Sequence, residues 1–270
     1  MAVTGGAGFI GSNLCRALVA EPAVDEVVVL DDLSTGSLSN LEGIEGPAAL
    51  KVVEGSVLDE VAVGGVVAGA AAVVHLAALP SVPRSLADPM ASHRVNATGT
   101  VQVLEAARRL GAGHAVVASS SSVYGANPDL PKREDMVPSP ISPYAASKLA
   151  AESAALAHSR SFGMAVLALR FFNVFGPAQP AGHAYAAVVP AFVDRALRGE
   201  PLVVHGDGRQ TRDFTYVGSV VAVLVDAVRR RVAHPGPVNL AFGTRVSLLE
   251  LVAALEGVLG RRLERCHTEP

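Results

Sequence analysis

A tyrosine and a lysine stand four residues apart at Tyr144 and Lys148. This spacing places both side chains on one face of an α-helix. A free tyrosine has a pKa of about 10 and is a poor base at neutral pH, but a nearby ammonium group stabilises the phenolate and favours general-base catalysis. By itself the pair is equally typical of an ordinary amphipathic helix. The chain, however, has few lysines, only three of its 22 Lys and Arg residues, so a lysine here indicates a specific need for one.

Four consecutive serines, Ser119 to Ser122, follow the apolar segment 114–118. If that segment is a parallel strand, the hydroxyl groups lie at its carboxyl end, where doubly wound sheets bind ligands. A polar transition from strand to loop is the alternative, and it explains one serine better than it explains four.

The start of the chain has the pattern of a dinucleotide-binding turn. Three glycines, Gly6, Gly8 and Gly11, form G-x-G-x-x-G between an apolar start and a segment with helical spacing, and Gly5 offers a second match to the pattern. Glycines at these positions permit a tight turn and let backbone N–H groups approach a pyrophosphate at the helix N-terminus. Asp31 ends the next apolar strand, 20 residues after Gly11, where a carboxylate can bind an adenosine ribose.

Asp31 also predicts which dinucleotide binds. A carboxylate repels a 2′-phosphate, and the residues that follow, Asp32 to Thr35, include no arginine to accept one. The sequence therefore predicts NAD in preference to NADP.

The elements that must position these groups alternate as strand and helix through the first 170 residues. This alternation predicts an α/β fold with a doubly wound parallel sheet, the Rossmann type, formed by residues 1–170. Helices are predicted over residues 88–110 and from the Ser142 cap to about Ser159. The rhythm then loosens, with a helix from about Tyr185 to Arg198 and a capping box at Ser247. Residues 171–270 are predicted to form a smaller substrate-binding lobe.

Composition excludes several other classes of protein. Half of the 270 residues are hydrophobic, the net charge is −3 and the pI is near 6.2. The chain therefore lacks the surplus of basic residues that is typical of nucleic-acid-binding proteins. No secretory signal or membrane-length apolar run is present. Cys15 and Cys266 match no metal or redox spacing and are predicted to be free thiols in a reducing cytoplasm. No metal site is predicted.

Taken together, these residues resemble those of a known family, the extended short-chain dehydrogenase/reductases of the NAD-dependent epimerase/dehydratase type. Within it the chain is most similar to nucleotide-sugar 4-epimerases such as the UDP-glucose 4-epimerases. The resemblance covers nearly the whole chain through the motifs TGGAGFIG, LDDLSTG, HLAA, SSSSVYG, YAASK, RFFNVFGP and GDGRQTRDFTYV.

The resemblance implies roles for individual residues. It implies a catalytic set of Ser120, Tyr144 and Lys148. Contacts to NAD are implied for Gly5, Gly8, Phe9, Ile10, Gly11, Asp31, Asp32, Ser34, Thr35, Gly36, Ser56, Val57, Leu76, Ala77, Ala78, Asn96, Ser119, Tyr144, Lys148 and Phe172. Contacts to a nucleotide sugar, most simply a UDP-sugar, are implied for Ser81, Ser120, Ser121, Ser122, Tyr144, Asn173, Val189, Val203, His205, Gln210 and Arg212.

The implied reaction inverts the sugar at C4 through a 4-keto intermediate. Tyr144 is the base, Ser120 binds the C4 oxygen, and Lys148 holds the nicotinamide ribose and lowers the pKa of Tyr144. A homodimer that pairs the helices starting near Asp88 and Ser142 is also implied.

The chain departs from the family pattern in three places. Ser56 replaces an aspartate that contacts adenine, and Gly218-Ser219 replaces an acidic pair. Relatives also continue beyond position 270 with another arginine and an aspartate for the substrate, so the substrate lobe is expected to be incomplete and substrate binding weak.

Two other functions remain open. A 4,6-dehydratase uses the same scaffold, but its chemistry needs an Asp/Glu pair just after the catalytic hydroxyl, where this chain has Ser121 and Ser122. A catalytically weak NAD-binding regulator would suit the predicted first strand, Met1 to Thr4, which is short at barely four residues, and the expected lack of a tail. The intact set of Ser120, Tyr144 and Lys148 disfavours it, because a sensor needs no base.

Overall fold

The computed structural model describes residues 1–181 and 187–269. The strands are β1 (Ala2–Thr4), β2 (Glu26–Asp31), β3 (Ala49–Glu54), β4 (Val73–His75), β5 (His114–Ser120), β6 (Ala165–Phe171), β7 (Val174–Phe175), β8 (Leu202–His205), β9 (Thr211–Arg212), β10 (Thr215–Tyr216), β11 (Val238–Leu240), β12 (Val246–Ser247) and β13 (Arg265–Thr268). The helices are α1 (Phe9–Ala20), α2 (Glu60–Val67), α3 (Val82–Ala87), α4 (Pro89–His93), α5 (Gly99–Arg109), α6 (Pro143–Phe162), α7 (Val188–Arg198), α8 (Val217–Arg229) and α9 (Leu248–Leu259).

A parallel sheet forms the centre of the molecule. Within the described ranges it has seven strands in the order β11-β6-β5-β4-β1-β2-β3. Each neighbouring pair is parallel. Two hydrophobic clusters pack helices against the sheet, one through α1 and α8 and the other through α2 and α5. This arrangement confirms the predicted doubly wound α/β fold, whose central strands β1, β4 and β5 are buried because helices cover the sheet, while the edge strand β3 is largely exposed.

The helix that carries Tyr144 and Lys148 begins and ends at local signals. The Ser142 hydroxyl accepts a 3.2 Å hydrogen bond from the Ala145 N–H, and Pro143 occupies the first turn. Gly163, in the left-handed conformation, ends the helix. α6 therefore extends three residues beyond the predicted end at Ser159.

Other predicted helices differ in detail. The helix predicted over residues 88–110 is α4, a π-helical turn at Arg94–Thr98 and α5. The predicted capping box at Ser247 is present, because Ser247 and Glu250 bond to each other's backbone N–H groups. α7 begins at Val188, while the predicted start near Tyr185 lies outside the described residues.

The second half of the chain contributes to both parts of the molecule. α8 packs on α1 in the first of the two hydrophobic clusters that cover the sheet, and β11 extends the sheet beyond β6. A separate cluster that includes Phe192, Leu202 and Val252 holds α7, β8 and α9 together. We propose that residues 1–170 and 171–270 form the two predicted parts, with α8 and β11 returning to the nucleotide-binding sheet.

No helix within residues 1–181 and 187–269 has both the length and the apolar character that a bilayer crossing requires.

Candidate active site

The glycine loop between β1 and α1 is built for close backbone approach. Gly5 has φ +73°, and a Cβ there would lie 2.6 Å from the Ala77 nitrogen. A Cβ on Gly11 would collide with the Gly5 carbonyl oxygen and lie 2.7 Å from the Gly6 Cα. Any larger residue at either position would therefore force the turn apart.

The first turn of α1 is suited to an anion. Gly8 is its N-cap residue, no side chain caps the helix, and no acidic residue lies in the first turn. Backbone N–H groups at such a helix start, together with the helix dipole, bind phosphate. The turn therefore fits the diphosphate of a dinucleotide.

Asp31 closes the other side of the loop. Its carboxylate accepts hydrogen bonds of 2.9 Å from the Ala7 N–H and 2.9 Å from the Leu33 N–H. Burial raises the pKa of this carboxyl, and these two backbone bonds lower it. Asp31 thus shapes the glycine loop as well as lying in the cleft where the ribose is predicted to bind.

Lys148 and Ser120 are brought together by the packing of α6 on β5. The Lys148 ammonium is buried and donates a 2.8 Å hydrogen bond to the carbonyl oxygen of Ala118. Ser120 ends β5 two residues later, and Tyr144 lies one turn before Lys148 on α6. The Ser122 hydroxyl donates a 2.8 Å hydrogen bond to the Ser120 oxygen, which holds that side chain in place.

The pKa values of the two α6 groups reflect their burial. Burial lowers the pKa of Lys148 to about 8. Burial also raises the pKa of Tyr144, and a hydrogen bond with Ser120 acts in the opposite direction. The predicted lowering of the Tyr144 pKa by Lys148 is therefore not what this structure shows: desolvation of the phenolate is the larger effect.

A buried polar network supports this end of the sheet, and sequence reasoning missed it. Arg170 on β6 donates hydrogen bonds of 2.9 and 2.7 Å to the carboxylate of Glu152, and the Ser119 hydroxyl donates one of 2.6 Å to the same group. The Arg170 guanidinium also lies 4.7 Å from the centre of the Tyr124 ring. Glu152 follows Lys148 by four residues, so helical spacing was the signal that could have found it.

The carboxyl ends of the strands open into one cleft of about 1420 Å³. This is large enough for a dinucleotide and a second ligand, because typical pockets for a single small ligand hold roughly 300–1000 Å³. Most of the predicted site residues line it. They are Gly5, Gly8, Phe9, Ile10, Gly11, Asp31, Asp32, Ser34, Thr35, Val57, Leu76, Ala77, Ala78, Ser119, Ser120, Ser121, Ser122, Tyr144, Lys148, Phe172, Asn173 and Arg212.

Eight predicted residues do not line the cleft, and their contact roles stay predictions. They are Gly36, Ser56, Ser81, Asn96, Val189, Val203, His205 and Gln210. Three of them make local contacts within the protein. The buried Asn96 side chain is hydrogen-bonded to the backbone N–H and the carbonyl oxygen of Leu79, and Ser81 is the N-cap residue of α3. The His205 side chain on β8 is hydrogen-bonded to the Thr268 hydroxyl at 2.7 Å.

The cleft also contains residues that the motifs did not indicate. Among these are Asn239, which belongs to β11, Ala241, which directly follows β11, and Arg245, which directly precedes β12. No local pattern marks them, because they reach the cleft only through the return of the chain to the sheet.

Comparison with known proteins agrees with the geometry. The model of the NAD dependent epimerase/dehydratase family matches residues 1–241. A UDP-glucose 4-epimerase of Mycolicibacterium smegmatis is 38% identical over 266 residues, which is 96% of this chain and 82% of that protein.

Solved structures are similar over nearly the whole chain. A UDP-N-acetylglucosamine 4-epimerase from Methanobrevibacter ruminantium superimposes with a TM-score of 0.92 at 33% identity, covering 99% of this chain and 84% of that one. DesIV, a dTDP-glucose 4,6-dehydratase from Streptomyces venezuelae solved with NAD bound, gives a TM-score of 0.87 at 31% identity, covering 98% and 84%.

NAD fits the cradle that Gly5, Gly11 and the start of α1 form, and the cofactor that the sequence predicted is thus confirmed. Both the fold and the family match agree with the resemblance drawn from the motifs. The chain belongs to the NAD dependent epimerase/dehydratase family and is an NAD-dependent enzyme of that family.

Proposed function

We propose that the protein is a 4-epimerase of nucleotide sugars, with UDP-sugars as the substrate class. The observation that carries this proposal is the meeting of Ser120, Tyr144 and Lys148 in a cleft that also has room for a second ligand. Relatives at 38% and 33% identity that are named as 4-epimerases of UDP-sugars support it.

The proposed chemistry gives each of the three side chains a separate role. Tyr144 accepts the proton of the sugar 4-hydroxyl as that carbon is oxidised, and returns it when the carbon is reduced from the other face. The Ser120 hydroxyl donates a hydrogen bond to the C4 oxygen. Lys148 keeps its proton at neutral pH, because its pKa is about 8, and provides a positive charge beside the site. NAD, when bound, would accept the hydride from C4 and give it back in the reduction, so that the two half-reactions balance.

A dehydratase is the main alternative, since DesIV is among the similar structures. Elimination of water needs a carboxyl group close to the catalytic hydroxyl. Among the described residues, the acids that line the cleft are Asp31, Asp32 and Asp213. Asp31 lies at the glycine loop, and Asp213 is held by backbone N–H groups of residues 242–244. Ser121 and Ser122 follow Ser120, so the cleft favours epimerisation.

One experiment separates these functions. The purified protein, loaded with NAD, is incubated with UDP- and dTDP-hexoses and with their N-acetyl counterparts, and the C4 configuration is followed by NMR. Inversion at C4 without loss of water supports the proposal. A 4-keto-6-deoxy product would identify a dehydratase, and firm NAD binding without turnover would identify a regulator.

We also propose that the enzyme is a homodimer. The paired helices α5 and α6, with the segment before them, expose apolar side chains: Met90 is 66% exposed, Val101 42% and Phe162 55%. A second copy of the chain, packed against these helices about a two-fold axis, would cover these side chains. Light scattering at micromolar concentration tests this, and a monomer mass would contradict it.

A further inference from the structure

Two arginines, Arg212 and Arg245, line the cleft, and the side chain of each lies within hydrogen-bonding distance of Thr211. Arg212 belongs to β9, and Arg245 directly precedes β12, which pairs antiparallel with β9 so that Val246 lies opposite Arg212. Arg212 Nη1 donates a 2.9 Å hydrogen bond to the carbonyl oxygen of Thr211, and Arg245 Nε lies 3.5 Å from the hydroxyl of the same residue. Both arginines and Thr211 line the cleft.

The backbone is held in place both before and after Arg245. The Asp213 carboxylate accepts hydrogen bonds of 3.2, 2.7 and 3.1 Å from the backbone N–H groups of Phe242, Gly243 and Thr244. The β9–β12 pairing then holds the chain immediately after Arg245. The loop that presents this guanidinium is therefore anchored at its start and at its end.

Neither arginine has a carboxylate partner in the part of the chain that the structure describes. The nearby Asp213 carboxylate is used by the three backbone N–H groups. Arg212 and Arg245 thus bring two positive charges to the part of the cleft around Thr211. Each guanidinium can donate a planar pair of hydrogen bonds, the geometry that phosphate oxygens accept.

We propose that Arg245 is a second cationic residue for the diphosphate of the substrate, acting with Arg212 as a two-sided clamp. This assignment rests on the proposed function in taking a nucleoside diphosphate sugar as the substrate. It locates the diphosphate at the β9–β12 edge, apart from the start of α1, where the diphosphate of NAD binds.

The clamp is tested by calorimetry on the NAD-loaded protein, with UDP and UMP as probes. Arg245→Gln and Arg212→Gln are each expected to weaken UDP binding by roughly 10- to 100-fold, because each removes a charge-assisted contact. UMP binding should change much less. Arg245→Lys keeps the charge but lacks the planar pair of donors, so it should weaken UDP binding less than Arg245→Gln does. Arg209→Gln is the matched control, since that side chain is 84% exposed and near Asp207.

The outcomes are distinguishable. Unchanged UDP affinity in Arg245→Gln, with a normal melting temperature, overturns the clamp, as does equal weakening of UDP and UMP. Failure of the unmodified holoprotein to bind UDP overturns it too. If UDP binding depends on both arginines but NMR shows no C4 inversion, the clamp stands and the proposed epimerase function fails. Should Arg245→Gln melt early, the Arg245→Lys variant decides, because a retained preference for UDP over UMP then supports the clamp and loss of that preference overturns it.

Discussion

The ammonium group of Lys148 donates a 2.8 Å hydrogen bond to the carbonyl oxygen of Ala118, where β5 approaches its carboxyl end. This bond ties α6 to β5 inside the core. Tyr144 lies one turn earlier on the helix, and Ser120 lies two residues later on the strand. The separation between the proposed base and the proposed hydroxyl donor therefore depends on this contact, so Lys148 has a structural effect in addition to its charge.

Removing the Tyr144 hydroxyl should abolish most of the turnover. Tyr144→Phe is expected to lower kcat by roughly two to four orders of magnitude, because general-base catalysis contributes about that much. Far-UV circular dichroism and NAD affinity should stay unchanged. Tyr216→Phe is the matched control, since Tyr216 is 45% exposed and does not line the cleft. Near-normal turnover in the Tyr144 variant would refute the assigned base.

Lys148 should give the stability of the protein a defined pH dependence. Its folded pKa of about 8 lies below the ordinary value of 10.5, so the native state loses this proton first as the pH rises. Below pH 8 the native state carries a buried charge. Between about pH 8 and 10.5 the unfolded state binds more protons, and the free energy of unfolding rises by up to about 1.4 kcal/mol per pH unit from this group.

The measurement compares the unmodified chain with Lys148→Met by urea denaturation across that pH range. The stability difference between them should move in favour of the unmodified chain as the pH rises. Lys51→Met, at an exposed position on β3, serves as the control. A difference that stays flat with pH would show that Lys148 is not titrating in this window.

Asp31→Asn should reduce the preference for NAD over NADP. The substitution removes the charge that repels a 2′-phosphate and weakens the acceptor for the ribose hydroxyl groups. Since hydrogen bonds to charged groups contribute about 1.5–3 kcal/mol, we expect the ratio of the two dissociation constants to shift by at least about tenfold. Asp25→Asn, on the exposed surface just before β2, should leave the ratio unchanged. Equal affinity for both dinucleotides in the unmodified protein would contradict the role of Asp31.

A matched pair of glycine substitutions tests the cradle. Gly11→Ala should prevent firm NAD binding and destabilise the fold, because its Cβ would collide with the backbone of Gly5 and Gly6. Gly65→Ala in α2 meets no atom within 4 Å and should stabilise the protein by up to about 1 kcal/mol, since alanine is the better helix former. Differential scanning fluorimetry with and without NAD measures both effects. Normal NAD binding in Gly11→Ala would contradict the proposed loop.

The sequence alone was sufficient for those features whose determinants lie close together along the chain. The glycine pattern with Asp31, the cap at Ser142 and the spacing of Tyr144 and Lys148 each depend on one turn, one helix or one βαβ unit. Steric limits on the backbone and the 3.6-residue period act locally, so these patterns predicted the sheet, the helix α6 and the cofactor NAD correctly, while the contacts of the individual loop residues with NAD stay predictions.

Only the tertiary structure decided the features that depend on distant residues. Glu152 meets Arg170 because α6 packs on the sheet, and Arg245 reaches Thr211 only because two-residue strands that no periodicity marks pair with each other. The direction of the Tyr144 pKa shift was also out of reach of the sequence. Spacing alone suggested that Lys148 would lower it, but the desolvation that raises it comes from every element packed around the hydroxyl. Burial is a property of the assembled fold, and short-range spacing carries no measure of it.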